Sequence, residues 1–368
     1  MWRNMLLKFS IYVILLIATN IIFTFLLSCK DNISEPKVMQ IKTLGFEDKF
    51  ALRMVLSEPY LYVCAGSDGV WKRNIRLAEN SWQYLGLRDT SLGKYTNVGT
   101  LDIDVLDDDI LVAYNGSTPH IEPDSSVSVW RSTNGGKNWF RSDSGIPETI
   151  EDPYEYNIFT SLQRSPHQPN IVIGGTDVYN YRSTDGGSNW SMLSGQRGIV
   201  VGKGYIRWHP FQPGEIWYFG ETALFAPYCG AGQDYGLKGK VSLPWDSLGC
   251  TYDGAVYDVA FDVDNPGIVY AASSCGLLKT TDGGYTWRKN ALQLPDNGFI
   301  FRIVHHPTTG GTLYLAGGRQ IYATFNGGLN VQKIGEIEKG FITSLVWDSI
   351  GNQLFIGTTE GGIYKMRF

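Results

Sequence analysis

Four stretches decide the fold: Ser132-Thr-Asn-Gly-Gly-Lys-Asn-Trp139, Ser183-Thr-Asp-Gly-Gly-Ser-Asn-Trp190, Thr280-Thr-Asp-Gly-Gly-Tyr-Thr-Trp287 and the worn copy Thr324-Phe-Asn-Gly-Gly-Leu-Asn-Val331. Their starts lie 51, 97 and 44 residues apart, and the middle spacing is two periods, so a unit between Trp190 and Thr280 has lost its copy. A period in the forties suits a four-stranded propeller blade. Each stretch has the chemistry of a tight hairpin turn. The Asp or Asn accepts backbone N–H bonds across the turn, the glycines take positive φ at little cost, and the Trp pins the turn to the sheet.

Working outward from these turns, seven units are readable: Phe50 to Gly86, Thr96 to Gly145, Tyr156 to Gly195, Gly204 to Leu248, Gly254 to Leu292, Gly298 to Gly335 and Gly340 to Phe368. The seventh stops one strand short. Val38 to Leu44, left over before the first unit, is the natural supplier of the missing strand, and closure of that kind removes sheet edges that would pair with other chains. The expected fold is therefore all-β, a seven-bladed β-propeller of four-stranded antiparallel blades over residues 38–368, closed by an N-terminal strand. Composition agrees: Gly 43, Tyr 21 and Trp 11 in 368 residues favour many short strands and turns over long helices.

The four turns match the Asp-box, or BNR, motif, and the chain resembles the Asp-box propellers: sialidases, xyloglucan-cleaving hydrolases, the luminal domain of sortilin and the photosystem II stability/assembly factor. That resemblance implies a ligand on the face opposite the boxes and leaves the activity open, since one fold hosts many functions. Arg3 and Lys8 precede an apolar run ending in Leu26-Leu27-Ser28-Cys29, which resembles a lipoprotein signal with its lipobox. The competing reading is an uncleaved membrane anchor. The resemblance implies a signal peptide over 1–28, lipid attachment at Cys29 and a tether over 29–37. Lys30 after the cysteine resembles lipoproteins sent to the outer membrane, and Cys29-Lys30-Asp31-Asn32 resembles Bacteroidetes-type lipoproteins that reach the cell surface.

Two columns of residues converge on the channel of such a ring. Loops between second and third strands align Asp68, Asp177, Glu221, Cys275, Arg319 and Glu360. First strands align Arg53, Asp102, Ser161, Arg207, Asp258, Arg302 and Ser344. Charged residues inside an apolar strand must face water or a partner, because unpaired burial costs several kcal/mol. Arg and Asp either pair across the channel or leave a forked donor site for a carboxylate or sulfate. The expected binding residues are thus Arg53, Asp68, Asp177, Arg207, Glu221, Asp258, Arg302, Arg319 and Glu360. The acidic and aromatic insertions 115–126 and 148–157 suit sugar or peptide recognition.

No catalytic set is complete. Phe301-Arg302-Ile303-Val304 echoes the Phe-Arg-Ile-Pro opening of sialidases but falls in the sixth unit without the Pro, and nothing fixes a carboxylate pair for glycoside cleavage. No cofactor motif, metal cluster or Cys-x-x-Cys is present, and a formal charge of −5 argues against nucleic acid. Among Cys64, Cys229, Cys250 and Cys275 three pairings are open; Cys229 and Cys250 flank an insertion they are placed to staple, and Cys64 reads as a buried thiol. The sequence thus predicts a monomeric, membrane-anchored binding or assembly module for a protein or glycan. The alternative is a glycoside hydrolase of sialidase or xyloglucanase type.

Overall fold

A computed structural model describes residues 39–78, 81–89, 99–115, 128–147, 159–176, 180–192, 205–219, 224–225, 240–241, 255–289, 294 and 299–368. Residues 39–368 form one compact unit. Its strands pair into seven four-stranded antiparallel sheets. Blades are numbered here by their first strands: Arg53–Ser57, Gly99–Leu106, Phe159–Arg164, Tyr205–Trp208, Val256–Phe261, Arg302–His305 and Ile342–Asp348. Each first strand lies against the first strand of the next blade, and that of blade 7 returns to blade 1.

The expectation of seven equivalent blades needs correction. In six sheets at least three strands run four residues or more; in blade 4 only Tyr205–Trp208 and Ile216–Phe219 do, while Leu224–Phe225 and Lys240–Val241 are two residues each. Six full blades and one reduced blade make the ring. The sequence of the reduced sheet lacks the Asp/Asn-Gly-Gly turn, as do those of blades 1 and 7. Among the described residues, apolar clusters fill the gaps between neighbours at six junctions. Between blades 3 and 4, Trp208 Nε1 donates to Gln163 O at 3.0 Å.

Blade 7 takes its outermost strand from the N-terminal side. Ile41–Thr43 pairs antiparallel with Ile363–Arg367, setting Ile41 opposite Met366 and Thr43 opposite Tyr364. Leu44 N donates to Ile363 O and Ile363 N to Gly45 O, at 2.6 and 2.9 Å. Met39 and Ile41 pack on Ile334, Ile337 and Met366, so this strand also carries apolar burial.

All four Ser/Thr-x-Asp/Asn-Gly-Gly turns share one hydrogen-bond pattern. In Ser183–Trp190 the Ser183 hydroxyl accepts from Gly187 N at 2.8 Å and donates to Asp185 at 2.7 Å, while Asp185 accepts from Asn189 N at 2.8 Å. Gly187 sits at φ 94°, and a Cβ there would meet the Leu111 side chain at 2.8 Å, so the turn both needs glycine and rests on the preceding blade. The Trp does the same: Trp190 Nε1 donates to Ser142 O of blade 2 at 2.7 Å, and Trp139 Nε1 to Leu85 O of blade 1 at 2.8 Å. These rings therefore join each blade to its predecessor as well as closing their own hairpins.

The turns between first and second strands, on the same face as these hairpins, carry a second set of ties. Asp348 accepts from Arg76 of blade 1 at 2.6 and 2.7 Å, from Gln353 Nε2 at 2.7 Å and from Gly351 N at 3.0 Å. Burial alone pushes the Asp348 carboxyl up, but those donors outweigh it and hold it down at about 2. A carboxyl depressed on folding stabilises the native state above its unfolded pKa of about 4 and ceases to as pH falls through the folded value. Acid titration should therefore show stability lost between about pH 4 and pH 2. Asp348→Asn should flatten that slope while lowering stability at pH 7, with urea midpoints against pH as the readout; an unchanged slope would show that the carboxylate is not held this way.

Candidate functional site

Strand order puts the loops between second and third strands, and those between blades, on the face opposite the Gly-Gly turns. First strands begin on that face, so their opening residues ring the mouth of the channel. Register defines which ones. Asp102, Ser161, Asp258 and Ser344 pair with Ala113, Gly175, Ala272 and Gly357, each just after a register shift that swings an extra residue out of the ladder. In those four blades the column residue accepts from the next blade's backbone: Asp102 from Leu162 N at 2.8 Å, Ser161 from Ile206 N at 3.1 Å, Asp258 from Ile303 N at 3.4 Å, Ser344 from Met54 N at 3.1 Å.

The same register places Tyr205, opposite Phe219, in the column of blade 4. Arg207, assigned to that place from the sequence, stands two residues further along the same strand face. The first strand of blade 4 is four residues long, and Tyr205 rather than a charged residue fills its column.

Arginines close the remaining junctions. Arg53 Nε donates to Asp102 at 3.0 Å, Arg207 Nη2 to Asp258 at 3.0 Å, and Arg302 Nε to Thr343 O. Every blade-to-blade junction around the mouth is thus tied by a polar contact. Asp102 and Asp258 are 0% and 4% exposed and accept N–H groups as well as guanidinium. Both act as acceptors that tie neighbouring blades together. Among the described first-strand residues, three arginines stand against two aspartates. Burial opposes the Arg53 cation, but Asp102 and Asp258 outweigh it and raise its pKa. Arg207 is pulled below its ordinary value by burial and by the nearby Arg53. A cation disfavoured in this way gains from any anion brought to it.

Beside the arginines lies an aromatic row that the sequence reading missed. Tyr257 and Phe301 pack with centroids 4.7 Å apart, Phe299 and Phe301 at 6.1 Å, and the Arg302 guanidinium sits over Tyr205 at 5.8 Å. Phe299 and Phe341, in the connections leading into blades 6 and 7, are 42% and 63% exposed. The signal was present in Phe299-Ile-Phe-Arg302, where a side chain pointing out of the ladder precedes the channel residue.

Of the outer column, the described members meet partners in their own blades or solvent. Asp68 pairs with Arg88 of its own blade at 3.7 Å, and Arg319 with Glu336 of its own blade at 3.0 Å. Glu360 is exposed, and Asp177, Glu221, Cys29, where lipid attachment is expected, and the acidic insertion 148–157 lie outside the described residues. Cys64 is a buried free thiol, and burial pushes its pKa up. Cys275 is disulfide-bonded.

No protein-family profile matches the chain. It is 26% identical to a probable oligoxyloglucan-reducing end-specific xyloglucanase of Neosartorya fischeri, over 68% of this chain and 30% of that protein. It is 28% identical to the xyloglucanase Xgh74A of Acetivibrio thermocellus, over 44% of this chain and 22% of the relative. The chain thus spans less than a third of the length of these curated relatives. Among solved structures, YCF48 bound to a D1 peptide superposes with a TM-score of 0.62 at 14% identity, covering 91% of this chain and 96% of that one. The GH74 xyloglucanase of Xanthomonas campestris gives 0.63 at 15% identity, covering 89% and 53%. At these identities the likeness shows one thing, that the chain is a β-propeller of four-stranded antiparallel blades.

Proposed function

We propose that the chain is a lipid-anchored, extracytoplasmic binding module, held at the outer membrane or cell surface through Cys29, whose channel mouth receives an anionic group of a protein or glycan. The observation that carries this reading is the Arg302 guanidinium, which meets backbone oxygens and no carboxylate among the described residues, beside the carboxylate-paired Arg53 and Arg207 and the exposed aromatic row. Planar guanidinium groups suit bidentate capture of carboxylate or sulfate, and flat rings take the apolar face of a neighbouring sugar or side chain. The Asp-box repeats supply the rigid frame and stay out of the site. The engagement of Asp102 and Asp258 in tying blades together argues for binding over turnover.

A second reading is a glycoside hydrolase of xyloglucanase type, favoured by the two xyloglucanase relatives. It needs two carboxyl groups flanking a sugar, roughly 5 to 10 Å apart. Calorimetry of the protein against uronate-bearing and sulfated oligosaccharides, acidic peptides and xyloglucan separates the two. The binding module should take an anionic ligand without cleaving it and lose affinity at least tenfold in Arg302→Ala, a loss of about 1.4 kcal/mol or more. Release of xyloglucan oligosaccharides by the wild-type protein would decide for the hydrolase.

A further inference from the structure

The face carrying the Gly-Gly turns has an uneven chemistry at matched positions. The turns share one conformation, so their sixth residue stands in the same place in each blade. It is Lys137 in blade 2 and Ser188 in blade 3, but Tyr285 in blade 5 and Leu329 in blade 6. The second residue is Thr133, Thr184 and Thr281 in blades 2, 3 and 5, but Phe325 in blade 6. Tyr285 is 85% exposed and Leu329 67% exposed; Ile350, at the tip of the first-to-second-strand turn of blade 7 on this same face, is 72% exposed. Leu77, on the corresponding outer connection of blade 1, is also exposed. An apolar arc therefore runs from blade 5 through blade 7 to blade 1, while the equivalent tips of blades 2 and 3 carry Asp107, Asp108, Lys137, Asn138, Asp185 and Asn189.

The chain enters the ring in the middle of that arc. Because Ile41–Thr43 runs antiparallel to Ile363–Arg367, with Ile41 opposite Met366, the strand starts on the Gly-Gly turn face of blade 7. Ten residues separate Met39 from Cys29, a reach of at most about 35 Å. We infer that the occupant of the arc is the lipid bilayer that anchors Cys29: the ring docks on it through Tyr285, Phe325, Leu329, Ile350 and Leu77, and presents the channel mouth away from the membrane. Exposed Tyr, Phe, Leu and Ile are side chains that settle at the headgroup boundary. A tether this short holds the face at high local concentration, so even a modest apolar surface suffices. The inference rests on the lipid-anchor reading above.

The test uses the full-length chain in isolated membranes of a Gram-negative host, with a protease site placed within residues 30–37. Hydroxyl-radical labelling is read by mass spectrometry before and after the tether is cut and the ring washed free. Labelling of Tyr285, Phe325, Leu329 and Ile350 should rise at least threefold on release, while Phe299 and Phe341 on the opposite face stay constant. In Tyr285→Ser/Leu329→Ser, which copies the residue of blade 3, that rise should shrink at Phe325 and Ile350 with the circular dichroism spectrum unchanged. Equal labelling of the turn face before and after release, with lipid found on the Cys29 peptide, overturns the docking and leaves the anchor standing. A Cys29 peptide without lipid, in a chain that does not sediment with membranes, overturns both.

Discussion

Asp102→Ala is expected to cost about 3–5 kcal/mol of folding stability, measured as a urea midpoint shift at unchanged m-value. One side chain here serves three blades: it holds Arg53 of blade 1 at 3.0 Å, caps Ile103 N of its own strand at 2.9 Å and takes Leu162 N of blade 3 at 2.8 Å. Its removal leaves a guanidinium whose side chain is 12% exposed without its counter-charge, and two buried N–H groups without an acceptor. Asp102→Asn should lose less, since the amide oxygen still accepts. Arg53→Leu/Asp102→Leu should recover most of the loss, because an apolar pair leaves nothing charged behind. A cost below about 1 kcal/mol for Asp102→Ala would mean that water replaces the carboxylate freely and that the mouth is not the clasp described here.

Removing Met39 to Thr43 is expected to have the larger effect. Partly buried Met39 and Ile41 leave the cluster of Ile334, Ile337 and Met366, and the third strand of blade 7 becomes an open edge. At roughly 1.5–3 kcal/mol for each apolar side chain, with ladder hydrogen bonds lost besides, the penalty is on the order of 5 kcal/mol. An exposed, unpaired edge recruits other chains, so light scattering should show larger species than the intact chain forms. A truncated ring that melts within about 2 °C of the parent and forms no larger species would contradict closure by this strand.

Much of this architecture is legible in the sequence because it is local and repeated. A Gly pair at positive φ, a hydroxyl two residues before an Asp or Asn, and a Trp after it are fixed by a turn that tolerates little else. The missing strand of the seventh unit was legible by arithmetic of the same kind. Blade 4 was not: without its turn, the chain from 220 onward offers no marker for strand ends, and equivalence with its neighbours was assumed where the sheet is reduced. The inner column was read correctly in six blades because β-branched and apolar residues frame Arg53, Asp102, Ser161, Asp258, Arg302 and Ser344. It slipped at Arg207 because the column of blade 4 holds an aromatic residue, Tyr205, while the charged residue lies two positions on.

The candidate site divides in the same way. Residue type and strand position gave the channel charges, but not their pairing, which depends on which oxygen a neighbouring blade's N–H already occupies. In the outer column the local pairing was equally illegible. Asp68 and Arg319 sit at comparable loop positions, yet each turns to a partner at the start or end of its own outermost strand, Arg88 and Glu336. Aromatic residues at the mouth were overlooked because they alternate with core positions and resemble ordinary strand composition.

The most direct test of the ring is amide hydrogen exchange at Leu44 and Ile363, whose N–H groups join the N-terminal segment to the last blade. Closure predicts that both exchange at the slow rate of central amides such as those of Leu61 and Leu315, opening only with global unfolding. Exchange of Leu44 at the rate of an unstructured chain, while Leu61 remains protected, would show an open ring and remove the basis for every position assigned around the channel.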